Sequence, residues 1–171
     1  MKAVFVDKDG TLVENVPYNV DPALIWLTPG AAQAIRRIAE RGFRVFVVSN
    51  QPGVGLGLFP SDALHKVEQR LRELLPLDGF YYCPHAPHAG CGCRKPATGL
   101  FEQAARERGI RLEASWMIGD ILDDVEAGRR AGCRTVLLDN GNETEWQLGP
   151  QRMPDFIVRD LPQAAAVILD R

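Results

Sequence analysis

The chain has 171 residues and a formal net charge of -2, enough for one compact domain with a sizeable core and without the basic excess that nucleic-acid binding needs. Hydrophobic residues make up 46% and charged residues 25%, values that exclude a disordered chain. No apolar run approaches the ~20 residues that cross a bilayer, and Lys2 leads straight into an apolar strand and an acidic motif rather than a signal-peptide pattern, so a cytoplasmic location is expected.

Apolar strand-like runs alternate with helical patterns, which predicts an α/β fold with a three-layer, doubly wound parallel sheet. The first strand is read at Ala3 to Val6, followed by a flap over roughly residues 12–28. Ile35, Ile38 and Ala39 mark a first helix, and Arg44 to Ser49 a second strand. Leu64, Val67, Leu71 and Leu74 mark the next helix, at spacings of three and four. A third strand spans Gly79 to Cys83, and a helix runs from Thr98-Gly99 to Gly109. Ser115 to Gly119 is a strand, and the helix after it runs from about Asp123 to Gly132, whose glycine can supply a left-handed cap. Thr135 to Leu138 and Phe156 to Val158 are the last strands, and Leu161 to Leu169 the last helix. No repeat or long linker interrupts the pattern, so residues 1–171 are expected to form a single domain without a separate cap.

Polar residues cluster just past the strand ends: Asp7, Ser49, the stretch 83–95, and Asp120. Open α/β sheets bind ligands in the crevice outside those ends. In Asp7-Lys8-Asp9-Gly10-Thr11 two carboxylates one residue apart project to the same side of an extended chain. They can hold a divalent cation and divide the roles of nucleophile and acid-base. Alone, the motif reads equally as a surface turn. Ser49-Asn50-Gln51, followed by Gly53, Gly55 and Gly57, offers a hydroxyl and loop amides for phosphoryl oxygens, although such a pair more often forms a simple turn. Arg94-Lys95-Pro96 places two cations before a rigid residue, which could also be a solvated pair. Asp120 and Asp124, four apart, fall on one side of a helix start, whereas Asp123 and Glu126 read as solvated acids.

Cys83, His85, Cys91 and Cys93 supply three thiols and an imidazole, a closed set for structural zinc. His88 can stand in for His85, and unligated loop thiols are the plain alternative. The spacing is not that of a zinc finger. Zinc here would position Arg94 and Lys95, which follow the last ligand. Cys133 reads as a buried apolar residue, His65 as a surface residue, and Trp26, Trp116 and Trp146 as packing residues.

Together, the four motifs from Asp7 to Asp124 resemble the haloacid dehalogenase superfamily of phosphotransferases. The resemblance implies that Asp7 is a nucleophile forming an aspartyl-phosphate and that Asp9 is the general acid-base. It implies magnesium on the Asp7 and Asp120 carboxylates and the Asp9 main-chain carbonyl, Ser49 and Lys95 on the transferring phosphoryl group, and Asp124 steadying Lys95 or a metal-bound water. The zinc loop, with its Asp78-Gly79-Phe80-Tyr81-Tyr82 lead and Cys93-Arg94-Lys95-Pro96 end, is similar to that of the D-glycero-D-manno-heptose-1,7-bisphosphate 7-phosphatases. Histidinol-phosphate phosphatases share that loop. Lys8 stands where those families usually carry arginine, Ser49 where threonine is common, and Pro52 where serine is frequent. Only five residues separate His85 from Cys91.

The resemblance implies a small phosphorylated sugar as substrate, cleaved at its C7 phosphate on the way to surface-sugar precursors. The charge and the lack of a long apolar run predict neither nucleic acid nor membrane as partner, and a monomer is expected. Asn15 and Tyr18 in the flap, with Asn50 and Gln51, would meet hydroxyls, and Arg94 a second, distal phosphate. Histidinol phosphate is the competing substrate. A non-catalytic zinc-stabilised binding module is the reading from another class, and the completeness of Asp7, Asp9, Ser49, Lys95 and Asp120 argues against it.

Overall fold

The computed structural model describes residues 1–171 and shows a six-stranded, wholly parallel sheet between two layers of helices. The strands are β1 (Ala3–Val6), β2 (Arg44–Asn50), β3 (Gly79–Cys83), β4 (Trp116–Gly119), β5 (Arg134–Leu138) and β6 (Phe156–Val158). The helices are α1 (Ala31–Glu40), α2 (Leu64–Leu74), α3 (Gly99–Arg108), α4 (Leu122–Ala131) and α5 (Leu161–Leu169). Strand order is β3-β2-β1-β4-β5-β6, so the chain reverses its direction of travel between β1 and β4 and opens a crevice above those two ends. No separate cap covers it.

The central strands are apolar on both faces because both faces are covered. All four residues of β1 are fully buried. Val4, Val6, Val45, Val47 and Ile118 meet Ile35 and Ile38 of α1, Val67 and Leu71 of α2, and Ala164 and Ile168 of α5. Alternate residues, Ala3, Phe5, Phe46, Val48 and Met117, meet Leu100, Phe101 and Ala104 of α3 and Ala127 of α4. Phe5 is the centre of the second layer, edge-on to Phe101 at 4.9 Å and 5.9 Å from Phe46, an arrangement aromatic rings favour. The helix ends obey local rules. Asp160 caps α5 by accepting from Gln163 N at 2.9 Å, and Pro162 sits in the first turn, where a missing N–H costs nothing.

Residues 12–28 form a small tied excursion. Glu14 N donates to Trp26 O at 2.9 Å, and Thr28 N to Leu12 O at 2.9 Å. Two tryptophans expected to pack do not: Trp26 in this flap is 53% exposed and Trp146 is 44% exposed. Both lie in loops, where no sheet or helix face is available to cover an indole, whereas Trp116 is buried on β4. Glu126 also differs from expectation. Its side chain is only 14% exposed and accepts from Arg152 Nη1 at 2.6 Å, because the loop before β6 brings that guanidinium over α4. Asp123 shares Arg152 at 3.0 Å but stays solvated. No helix is long and apolar enough to cross a membrane.

Candidate active site

The ends of β1, β2 and β4, with the loop after β3, bring the expected residues together around one ammonium. Lys95 is 3% exposed, and its Nζ donates to Asp7 Oδ1 at 2.7 Å, Asp124 Oδ1 at 2.7 Å and Val48 O at 2.9 Å. Three donors meet three acceptors, so the buried charge is fully satisfied. Asn50 holds the Lys95 main chain in place, accepting from Lys95 N at 3.0 Å and donating to Lys95 O at 3.2 Å. Asp124 reaches this point from the first turn of α4 because residue 119 is glycine. A Cβ on Gly119 would overlap the Asp124 side chain. Asp124 Oδ2 accepts from the Asp120 and Ile121 amides at 3.2 and 3.4 Å, which ties the carboxylate to the helix start.

The charge balance asks for a further cation. Ligand oxygens of Asp7, Asp120 and Asp124 lie within 4.8 Å of one another, three carboxylates against one ammonium. Burial and then the Asp124 charge raise the Asp7 pKa well above the carboxylate range, and Lys95 only partly opposes this. Burial and Asp124 also raise Asp120, opposed by hydrogen bonds from Asn142 and Thr11. On Lys95, burial alone would lower the pKa, but Asp124 and Asp7 outweigh it and raise it. Hard oxygen donors in a carboxylate-rich crevice fit a magnesium ion. Asp7 and Asp120 would be its carboxylate donors, while Asp124 is committed to Lys95 through one oxygen and to two main-chain amides through the other.

Asp9 points differently. Its oxygens accept from Lys8 Nζ at 2.8 Å and Gln51 Nε2 at 3.2 Å, and Gln51 Nε2 also donates to Ser49 Oγ at 2.8 Å. Lys8 is itself buried, so the second acid, the serine and two supporting side chains form one chain of contacts.

A cavity of about 380 Å³ opens above these groups, lined by Asp7, Asp9, Ser49, Lys95 and Asp120 and by Asn15, Asn50, Arg94 and Asn142 among others. Arg94 is part of that lining, and its Nη1 is buried without a hydrogen-bond partner in the protein. Two expected contacts are not placed in the cavity. Tyr18 is 53% exposed with a left-handed φ of 54° and is outside the lining. Gln51 is buried beneath Asp9 and Ser49, so it supports them rather than facing the cavity.

Beside the site, Cys83 Sγ lies 3.3 Å from His85 Nδ1 and 3.6 Å from Cys91 Sγ, and His85 Nδ1 lies 3.2 Å from Cys93 Sγ. All four ligand atoms fall within 4.8 Å of one another, near the ~3.6–3.8 Å edges of a zinc tetrahedron. His88 is outside the cluster and His85 is in it. Burial opposes the Cys91 thiolate, but the Arg94 and Cys93 amides and the neighbouring thiols bring its pKa down to about 6. Such a donor set fits zinc.

Sequence reasoning missed the loop after β5. Asn142 Nδ2 donates to Asp120 Oδ2 at 2.7 Å, Asn140 Nδ2 to Gly10 O at 2.9 Å, and Thr11 Oγ1 to Asp120 Oδ1 at 3.2 Å. Glu143 Oε2 accepts from Leu122 N at 2.7 Å, capping α4. The available signal was position, because Asn140 and Asn142 follow the end of β5 as Asp120 follows β4.

The chain is similar to proteins named as phosphatases. The family model described as HAD-hyrolase-like matches residues 92–164. The chain is 31% identical to the D-glycero-beta-D-manno-heptose-1,7-bisphosphate 7-phosphatase of Pseudomonas aeruginosa, covering 97% of each chain. It is 37% identical to a D-glycero-D-manno-heptose-1,7-bisphosphate 7-phosphatase of Thermosynechococcus vestitus, over 96% of this chain and 93% of that one. A histidine biosynthesis bifunctional protein of Legionella pneumophila is 36% identical over 77% of this chain but only 39% of its own. The crystal structure of the D,D-heptose 1,7-bisphosphate phosphatase of B. bronchiseptica, complexed with magnesium and phosphate, superposes with a TM-score of 0.88 at 31% identity over 99% of both chains. With its parallel sheet, its strand-end carboxylates around Lys95 and this full-length similarity, the chain belongs to the haloacid dehalogenase-like phosphatases, enzymes that hydrolyse phosphoric monoesters.

Proposed function

We propose that the protein removes the C7 phosphate of D-glycero-D-manno-heptose 1,7-bisphosphate, in the cytoplasm, as a step towards nucleotide-activated heptose. The observation that carries this reading is Arg94. It lines one cavity with the reacting groups around Lys95, and a second phosphate on the substrate would meet its guanidinium there. The names of the full-length relatives support the same substrate.

Asp7 attacks phosphorus through a carboxylate oxygen, the bond from phosphorus to the leaving oxygen breaks, and Asp9 gives its proton to that oxygen. Water then attacks the aspartyl-phosphate, surrenders a proton to Asp9 and frees phosphate. Ser49 would donate its hydroxyl to a phosphoryl oxygen. Lys95, held by Asp124 and the Val48 carbonyl, would turn its third donor from Asp7 to the phosphoryl group as Asp7 engages phosphorus. Magnesium on Asp7, Asp120 and the Asp9 main-chain carbonyl would neutralise charge on the phosphoryl group. Monoester hydrolysis demands accelerations of up to ~10²¹, so several preorganised cations around the transition state are expected. Zinc on Cys83, His85, Cys91 and Cys93 would hold the loop whose next residues are Arg94 and Lys95.

Histidinol phosphate is the second reading, favoured by one observation. A neighbouring cavity of about 460 Å³, sharing Asn15 and Asn142 with the first, is lined by two acids, Glu14 and Asp160, against one cation, Arg159, so an amine finds acids there. Steady-state rates on both compounds decide. The heptose bisphosphate is expected to have the higher kcat/KM, and Arg94→Ala to raise its KM more than that of a simple monophosphate ester. A higher kcat/KM for histidinol phosphate would reverse the assignment.

A further inference from the structure

The loop after β5 closes the third side of the crevice. Asn142 lies at the rim, and its amide nitrogen forks between Asp120 Oδ2 at 2.7 Å and Gly10 O at 3.4 Å. The loop is fastened to both flanking strand ends. Asn140 Nδ2 donates to the same Gly10 carbonyl at 2.9 Å, Asn142 N donates to Asn140 Oδ1 at 3.2 Å, and Glu143 accepts from the first amide of α4 at 2.7 Å. The three strand ends meet so closely here that a Cβ on Gly10, whose φ is 82°, would overlap Asp120 Oδ2 and lie 2.7 Å from Asn142 Nδ2. Asn142 is thus a built contact and not a passing surface amide.

We propose that Asn142 is a positioning residue for Asp120, fixing the turn of that carboxylate before the divalent cation arrives. The inference rests on the reading of Asp120 as a magnesium ligand. The terminal torsion of an aspartate is broad and roughly two-fold, so a free Asp120 would present its oxygens in many directions. Thr11 engages Oδ1 at 3.2 Å, and Asn142 makes the shorter contact on the other oxygen. Together they hold the carboxylate plane, and one lone pair on each oxygen remains for a cation. The amide adds no charge to a crevice already crowded with carboxylates. A lysine at this place would compete with the cation, and an aspartate would repel Asp120. Partners of this kind around metal ligands are typically worth 10–100-fold in affinity.

Magnesium titrated calorimetrically into the full-length metal-free protein tests this, because binding is read without turnover. Asn142→Leu and Asn142→Ser should each raise the magnesium dissociation constant about 10-fold or more. The melting temperature of the metal-free protein should move little, since Asn142 is exposed. Asn140→Ala keeps the donor to Asp120 and should weaken magnesium by less than about 3-fold. Two variants at position 142 guard against one failing to fold. A smaller loss in both overturns the proposal, as does an equal loss in Asn140→Ala, which would make the loop and not the amide responsible. A wild-type protein that binds no magnesium would instead sink the magnesium reading, and this inference with it.

Discussion

Lys95 joins the nucleophile candidate to the start of α4, and the consequences of removing it are correspondingly broad. Lys95→Met keeps the length of the stem and deletes the charge, leaving Asp7 and Asp124 buried without their common partner. Breaking such a buried pair costs about 3–5 kcal/mol, so denaturant unfolding of the metal-free variant should show a loss of that order, and turnover should fall at least ~10³-fold. Lys8 tests a subtler point. Lys8→Met should lower kcat about 10-fold with little change in KM, because Lys8 touches Asp9 and not the cavity, and Lys8→Arg should restore much of the rate. At this scale much of the site was legible in the sequence. Asp7, Ser49, Asp120 and Asp124 each stand at a strand end or helix start, where geometry makes them converge, and Lys95 reaches them from the loop that follows β3. Asn142 was not legible, since an asparagine in a loop carries no periodicity and its partner is 22 residues away. Tyr18 and Gln51 lie outside the cavity lining for a related reason: sequence gives a residue's neighbourhood but not whether its side chain faces the cavity or the layer beneath.

Strands and helices were the more legible elements, because a buried parallel strand must be apolar throughout and a helix on a sheet must be apolar every three to four residues. The long connection from β5 to β6 has neither pattern, and there the sequence reading stopped. The thiols allow an element-level test of the zinc loop. Burial pushes the Cys133 thiol up to about 12, so it should stay unreactive until the protein unfolds. Titration with a thiol reagent should find Cys83, Cys91 and Cys93 shielded while zinc is bound, all three reactive once it is stripped, and Cys133 only in denaturant. Three freely reactive thiols in protein carrying one equivalent of zinc would contradict the ligand set. Gly10→Ala, in turn, should weaken folding and catalysis together, since its methyl would strike Asp120 and the φ of 82° is unfavourable for alanine.

For the whole molecule, the strand order places the reacting groups at the one position where adjacent connections leave in opposite directions. Burial patterns identify each strand but not its neighbour, so the order β3-β2-β1-β4-β5-β6 was expected only in kind, from the convergence of polar strand ends. A cation that binds only the folded chain must stabilise it. Magnesium at a hundred times its dissociation constant should add about 2.7 kcal/mol and raise the melting temperature by roughly 5–10 °C, and a chelator should reverse the shift. In the proposed reaction Asp7 carries the phosphoryl group. The direct measurement is acid quenching during turnover of the heptose bisphosphate with magnesium, followed by mass spectrometry of the proteolysed chain. A phosphorylated peptide containing Asp7 is expected, absent from Asp7→Asn, which should fold but not turn over. Full turnover by Asp7→Asn, or phosphate trapped on another residue, would contradict it.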